Sequence, residues 1–122
     1  MNGIKLRGLG RCVPAQSVTN DDLAKTVDTS DAWITARTGI RSRRRCTEET
    51  HTELCVTAAR RALAQAGITP ADIGACIVAT VSADTIVPSA ACMLQRDLGM
   101  PEDTPCFDLN AACTGFIYAL HT

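Results

Sequence analysis

The chain has 122 residues, of which 46% are hydrophobic, 20% charged and 3% aromatic, and twelve Lys and Arg against thirteen Asp and Glu leave a net charge of −1. That balance fits one globular domain, or a piece of a larger one, and excludes a disordered chain. It offers no broad field for a polyanion, so neither nucleic-acid nor membrane-surface binding is expected, and no apolar run approaches the roughly 18 residues of a bilayer span.

The start, Met1 to Arg7, alternates charged and apolar residues, unlike a secretory signal. Ile4 to Val13 mixes β-branched and basic residues around two glycines, which predicts a strand that stops at Pro14. Thr19 or Asn20 caps a short helix through Asp21, Asp22, Leu23, Ala24 and Val27, with its acids in the first turn where the helix dipole favours them. Ser30 caps a second helix that ends at Gly39, a residue free to turn left-handed. Within it Trp33 and Arg37 are four apart and share a face, just ahead of Arg41, Arg43, Arg44 and Arg45, a run whose plain reading is a solvated surface.

Thr50 and Glu53 form a capping box for the longest helix, which closes at Gly67. Its apolar stripe is rich in alanine and allows close approach to a sheet or a second helix. Ala75 to Val81 is apolar on both faces, the pattern of a central strand covered on each side. Pro88 suits the first position of a helix that runs to Leu98 and closes at Gly99, and Cys106 to Leu109 makes a further strand. A last helix starts near Cys113 and reaches Thr122 with no Gly or Pro to end it. Alternating strands and helices predict an α/β fold with at least partly parallel pairing and a ligand crevice beyond the carboxyl ends of the strands.

The seven cysteines, at positions 12, 46, 55, 76, 92, 106 and 113, form no CxxC pair and no cluster of zinc-finger spacing. No metal is expected. Their apolar neighbours suggest free thiols and a cytoplasmic protein. The sharpest chemical feature is Asp108 to Phe116, where a strand runs through small residues and a thiol into a helix. The junction places Cys113 at a helix N-terminus, where unpaired N–H groups and the dipole stabilise a thiolate, while Ala111, Ala112 and Gly115 leave room for a substrate carbonyl. The alternative is one more buried cysteine. A nucleophilic thiol also needs a base, and neither histidine supplies one: His121 stands roughly 12 Å along the same helix, and His51 sits beside the start of the long helix.

In Thr29 to Ile34, Ala36 to Arg41, Pro88 to Cys92 and the Cys113 segment, the chain resembles the N-terminal part of β-ketoacyl-acyl-carrier-protein synthase III, a condensing enzyme of the thiolase superfamily, over essentially all its length. The resemblance implies that residues 1–122 form most of the first half of a layered α-β-α-β-α thiolase fold, ending within the helix after the nucleophile. The second half, with a catalytic His, a catalytic Asn and an oxyanion-hole glycine, is absent.

It further implies a homodimer in which Cys113 takes an acyl group from acyl-CoA. Malonyl-acyl-carrier-protein then loses CO2 and its carbanion attacks the acyl-enzyme, with no permanently bound cofactor. Trp33 and Arg37 would hold coenzyme A by stacking on adenine and bonding the nucleotide, with Thr29 bordering the site; without the resemblance Trp33 reads equally as a half-buried helix anchor. Val87 stands where the family often has Phe at the primer pocket, which implies tolerance of primers longer or more branched than acetyl. The rival expectations are another thiolase-fold acyltransferase, such as a hydroxymethylglutaryl-CoA synthase or a polyketide starter synthase, and a noncatalytic half.

Overall fold

A computed structural model describes residues 4–122; Met1 to Gly3, the start of the sequence read as unlike a secretory signal, lie outside them. The chain forms two compact units, Val13–Glu49 and a larger one of Thr50–Thr122 with the segment that ends at Cys12.

In the smaller unit β1 (Gln16–Thr19) pairs antiparallel with β2 (Ser42–Arg45), and between them in sequence lie α1 (Asn20–Ala24) and α2 (Asp31–Thr38). Both helix starts follow the sequence: Thr19 and Asp22 make a capping box, and the Ser30 hydroxyl accepts from the Trp33 N–H. Gly39 ends α2 at φ 71°, left-handed as expected. α1 stops at Ala24, short of the expected Val27, because the Thr26 and Val27 N–H groups both turn back to the Leu23 carbonyl. The arginine run forms a strand that stays largely exposed, as its reading as a solvated surface expects, with Arg43 half-buried. Arg43 donates to the Val18 carbonyl and to Asn20 Oδ1, and Arg44 to the Pro14 and Ala15 carbonyls.

Asn20 is the centre of this unit, 1% exposed. Its amide nitrogen donates to Asp31 Oδ1 and the Ile40 carbonyl, both at 2.7 Å, while its oxygen accepts from Arg43 at 2.6 Å. One side chain thereby joins α1, α2 and β2.

In the larger unit β3 (Cys76–Ala79) and β4 (Cys106–Leu109) run parallel in register, Cys76 beside Cys106 and Ala79 beside Leu109. Parallel neighbours require a crossover, and α4 (Ala90–Leu98) supplies it. Ser89 caps α4, so Pro88 lies outside the helix instead of at its first position; the Ser hydroxyl takes the Cys92 N–H and fixes the start two residues later, at Ala90. The capping box of Thr50 and Glu53 opens α3 (His51–Ala66), and Gly67 closes it at φ 66°.

Val56 of α3 and Ala90, Ala91 and Leu94 of α4 pack on Cys76 and Val78, the buried positions of β3. The larger of these side chains stabilise by about 1.5–3 kcal/mol each. Ile77 is only half-buried and Ala79 is exposed, so β3 is closed over on one face rather than on both. The second face meets α5 (Gly115–His121), where a β-carbon added at Gly115 would lie 3.4 Å from Ala79 Cβ.

Ile4 to Val13 forms no ladder, so the expected strand is corrected: among the described residues the strand begins after Pro14, at Gln16. The donors of the segment go elsewhere, the Leu9 N–H to Gln65 Oε1 at 2.5 Å. Its glycines lie directly on α3, where a β-carbon at Gly10 would overlap the Ala58 carbonyl and one at Gly8 the Ala62 carbonyl. The alanines of α3 are the other half of that contact. Gly10→Ala is expected to destabilise the larger unit by about 1–3 kcal/mol through overpacking, measured by urea unfolding against the parent chain.

Candidate active site

β4 ends at Leu109 and the chain passes through Asn110 and Ala111 into a tight 3-10 turn, Ala112–Thr114, before α5 begins at Gly115. Ala112 has φ 45°, a left-handed conformation that costs a non-glycine residue of order 1 kcal/mol or more and recurs at functional sites. The turn is closed by the Thr114 N–H and hydroxyl, which donate to the Ala111 carbonyl at 3.1 and 2.8 Å. Gly115 is buried against β3 and β4, which holds the base of the turn.

Cys113 sits at the crest of this turn and its side chain is exposed. It stands two residues before α5, just outside the helix whose N-terminus the sequence placed at Cys113. The positive φ of Ala112 bends the chain through the 3-10 closure before α geometry can start. What the local structure supplies is therefore an outward-facing thiol on a strained strand-to-helix turn, the geometry that presents nucleophiles in other α/β folds. Among the described residues nothing accepts from the Cys113 N–H, which leaves that donor available to a developing oxyanion.

The other thiols differ. Cys76 is buried, and burial followed by the neighbouring Cys106 sulfur pushes its pKa up to about 11. Burial, then the Asp84 and Asp108 carboxylates, also raises Cys55. Cys55 Sγ lies 3.8 and 3.7 Å from the two ring nitrogens of His51, a contact not foreseen from the sequence. Near-equal distances put the sulfur in line with neither nitrogen, and the raised pKa keeps the thiol protonated, so the pair is no nucleophile and base. His121 is exposed at the end of α5. The described residues contain no group of three or more His, Cys, Asp or Glu able to hold a metal, and none of their helices is long and apolar enough to cross a membrane.

Two carboxylates that the sequence left unremarked organise the ends of the parallel strands. Asp108 of β4 accepts from the first two N–H groups of α4, Ala90 and Ala91, both at 2.8 Å. Asp84, from the loop after β3, accepts from the His51 and Thr52 N–H groups and the Thr52 hydroxyl at 2.9, 2.8 and 2.6 Å. The Thr52 hydroxyl, then its N–H, are the main causes that lower the Asp84 pKa. A charged residue inside the short strand CFDL is the one sequence signal that pointed to Asp108. Asp84 carries none.

In the smaller unit Trp33, Thr29, Val27, Asp28 and Ser30 line a surface depression of about 510 Å³. Trp33 is 53% exposed and the Arg37 guanidinium lies 4.3 Å from its ring centroid, a cation–π contact. Thr29 Oγ1 is buried at this rim with no hydrogen-bond partner among the described residues, which marks a place where a ligand atom can complete the bonding. An indole face, an adjacent guanidinium and an unpaired hydroxyl suit a flat nucleotide base with a phosphate nearby, while Asp28 favours ribose hydroxyls or an amino group.

No protein-family model matches the chain. It is 49% identical over its whole length to a β-ketoacyl-[acyl-carrier-protein] synthase III of Clostridium acetobutylicum, of which it spans 37%. The crystal structure of 3-oxoacyl-[acyl-carrier-protein] synthase III from Aquifex aeolicus superposes with a TM-score of 0.93 at 45% identity, covering 98% of this chain and 38% of that one. The chain is homologous to the N-terminal portion of a β-ketoacyl-[acyl-carrier-protein] synthase III. Its mixed α/β fold is accordingly part of a thiolase-like fold. A priming β-ketosynthase of the R1128 polyketide pathway is also similar, with a TM-score of 0.88 at 38% identity over 95% of this chain and 35% of that one.

Exposure and burial set the order of thiol reactivity. On brief treatment with iodoacetamide at neutral pH, Cys113 and Cys46 are expected to be alkylated first and Cys76 last, read by peptide mass spectrometry.

Proposed function

We propose that this chain is the acyl-accepting part of a β-ketoacyl-[acyl-carrier-protein] synthase III, with Cys113 as the residue that is acylated. The observation that carries the reading is the exposed Cys113 thiol on the strained turn after β4, with its own N–H unspent. A thiolate both attacks and leaves a thioester readily, so acyl transfer from acyl-CoA to Cys113 exchanges one thioester for another, and the Cys113 N–H donates to the carbonyl oxygen as it gains charge. Trp33, Arg37 and Thr29 hold the coenzyme A portion, the indole offering a stacking face and the guanidinium a fork for phosphate.

In the complete protein the acyl-enzyme is attacked by the carbanion formed when malonyl-acyl-carrier-protein loses CO2, which yields a β-ketoacyl product and starts a fatty-acid chain. The His and Asn that the resemblance assigns to that step belong to the second half of the fold, so the condensation is proposed for the whole enzyme. So are the homodimer and a cytoplasmic location. The polyketide priming enzyme among the similar structures favours a second reading, a starter-unit synthase that uses the same acyl-Cys113 with another acceptor.

Incubation with acetyl-CoA is expected to add one acetyl group at Cys113 by peptide mass spectrometry, and Cys113→Ala to abolish it. No uptake by the parent chain would refute the acceptor role. Val87 is 85% exposed and smaller than the Phe common at its position in the family, so isobutyryl-CoA is expected to compete with acetyl-CoA on comparable terms. Strong preference for acetyl-CoA in a competition assay would overturn that assignment.

A further inference from the structure

Beyond the carboxyl ends of β3 and β4 lies a crevice of about 230 Å³, lined by Thr80, Val81, Ala83, Thr85, Ile86, Asp108 and Asn110. In a parallel sheet this is where ligands collect. One wall is the loop after β3, largely apolar through Val81, Ala83 and Ile86; the other is the end of β4, which leads from Asn110 to Cys113 in three residues. An apolar pocket this small, one short turn from the thiol, suits a short acyl chain.

The loop has little packing of its own, with Ile86 93% exposed and Val81 66% exposed. It is held to the rest of the unit by Ala83, which packs against the core, and by Asp84, whose carboxylate takes three donors at the start of α3. Nearer the tip, the Thr85 hydroxyl donates to the Pro88 carbonyl at 2.8 Å and closes the loop on itself. Removing the carboxylate leaves Ala83 as the loop's contact with the core and loosens the segment from Asp84 to Pro88.

We infer that Asp84 is a positioning residue for acyl-chain selection, fixing the apolar wall of this crevice and through it the size of chain that can be carried on Cys113. The inference rests on the acyl-acceptor reading of Cys113 and extends it to a side chain that touches neither thiol nor substrate. Three charge-assisted hydrogen bonds make a stiff attachment. A stiff wall limits bulk that a loose one admits more freely, so loss of the anchor raises uptake of a branched chain relative to acetyl above the comparable level expected of the parent.

The test compares acyl transfer to Cys113 from acetyl-CoA and isobutyryl-CoA in the parent chain, Asp84→Ala and Thr52→Val, the last removing one of the three bonds from the opposite side. The isobutyryl-to-acetyl ratio is expected to rise about fivefold in Asp84→Ala and about twofold in Thr52→Val. Iodoacetamide reactivity of Cys113 should remain within about twofold of the parent, because the thiol is not held by Asp84. Amide exchange over residues 80–88 should quicken in both variants.

An unchanged ratio in variants whose loop exchanges faster shows that the wall does not select. An unchanged exchange rate shows that Asp84 does not hold it. If Asp84→Ala does not fold, Thr52→Val alone decides by the same two readings. Absence of acyl uptake in the parent chain removes the acceptor reading itself, and this inference with it, an outcome distinct from uptake with an unaltered ratio.

Discussion

The Asp108 carboxylate, spread across the first two N–H groups of α4, is the contact on which the rest of the larger unit depends. It ties the middle of one strand to the head of the crossover helix that precedes it, so β4 cannot shift in register without breaking two charge-assisted bonds. Register in turn sets where the strand ends, and the strand end sets where the chain must turn. The exposed sulfur of Cys113 is five residues downstream of that fixed point. Asp84 plays the corresponding part for α3 from the loop after β3, so the two helix heads are held by acids that arrive from β4 and from the loop beyond its neighbour. Helix starts normally rely on local caps, which are present here as well in Thr50 and Ser89. The added distant carboxylates join helix position to strand position, which a local cap cannot do.

The smaller unit solves a similar problem with a neutral group. Asn20 is buried and uses both its donor and its acceptor, with Asp31 and Arg43 among its partners, so the arginine of β2 is hydrogen-bonded and oriented without facing the acid directly. This explains why a run of like charges can form a strand at all: Arg43 and Arg44 spend their guanidinium groups on carbonyl oxygens and on Asn20. Arg37, which lies outside the strand, is left to stack on Trp33.

The elements legible in the sequence were those specified by local chemistry. The cap at Thr19, one of the two residues offered for it, the capping box at Thr50 and the closing glycines at 39, 67 and 99 state their helix ends within four residues, and the structure has each of them in place. What was misread depends on partners far away in the chain. Ile4 to Val13 has strand composition, but its glycines are used for contact with α3 and its backbone finds no ladder. The arginine run has surface composition and is largely exposed as read, but its strand was missed because it depends on pairing with Gln16–Thr19. At the candidate site, composition pointed to Cys113 and to the small residues around it. The left-handed Ala112, which displaces the thiol from the helix, has no signature in an alanine. Asp84 was equally invisible, since an acid in a loop is ordinary until its partners are known.

The cation–π pair on α2 has an optical consequence. Trp33 is the only tryptophan in the chain, and a guanidinium lies against its ring. Indole emission is sensitive to an adjacent positive charge and is quenched by stacked purines, so the molecule carries a built-in fluorophore at the rim of the depression beside Thr29. Occupancy there can be followed in the unlabelled protein, independently of any chemistry at the sulfur.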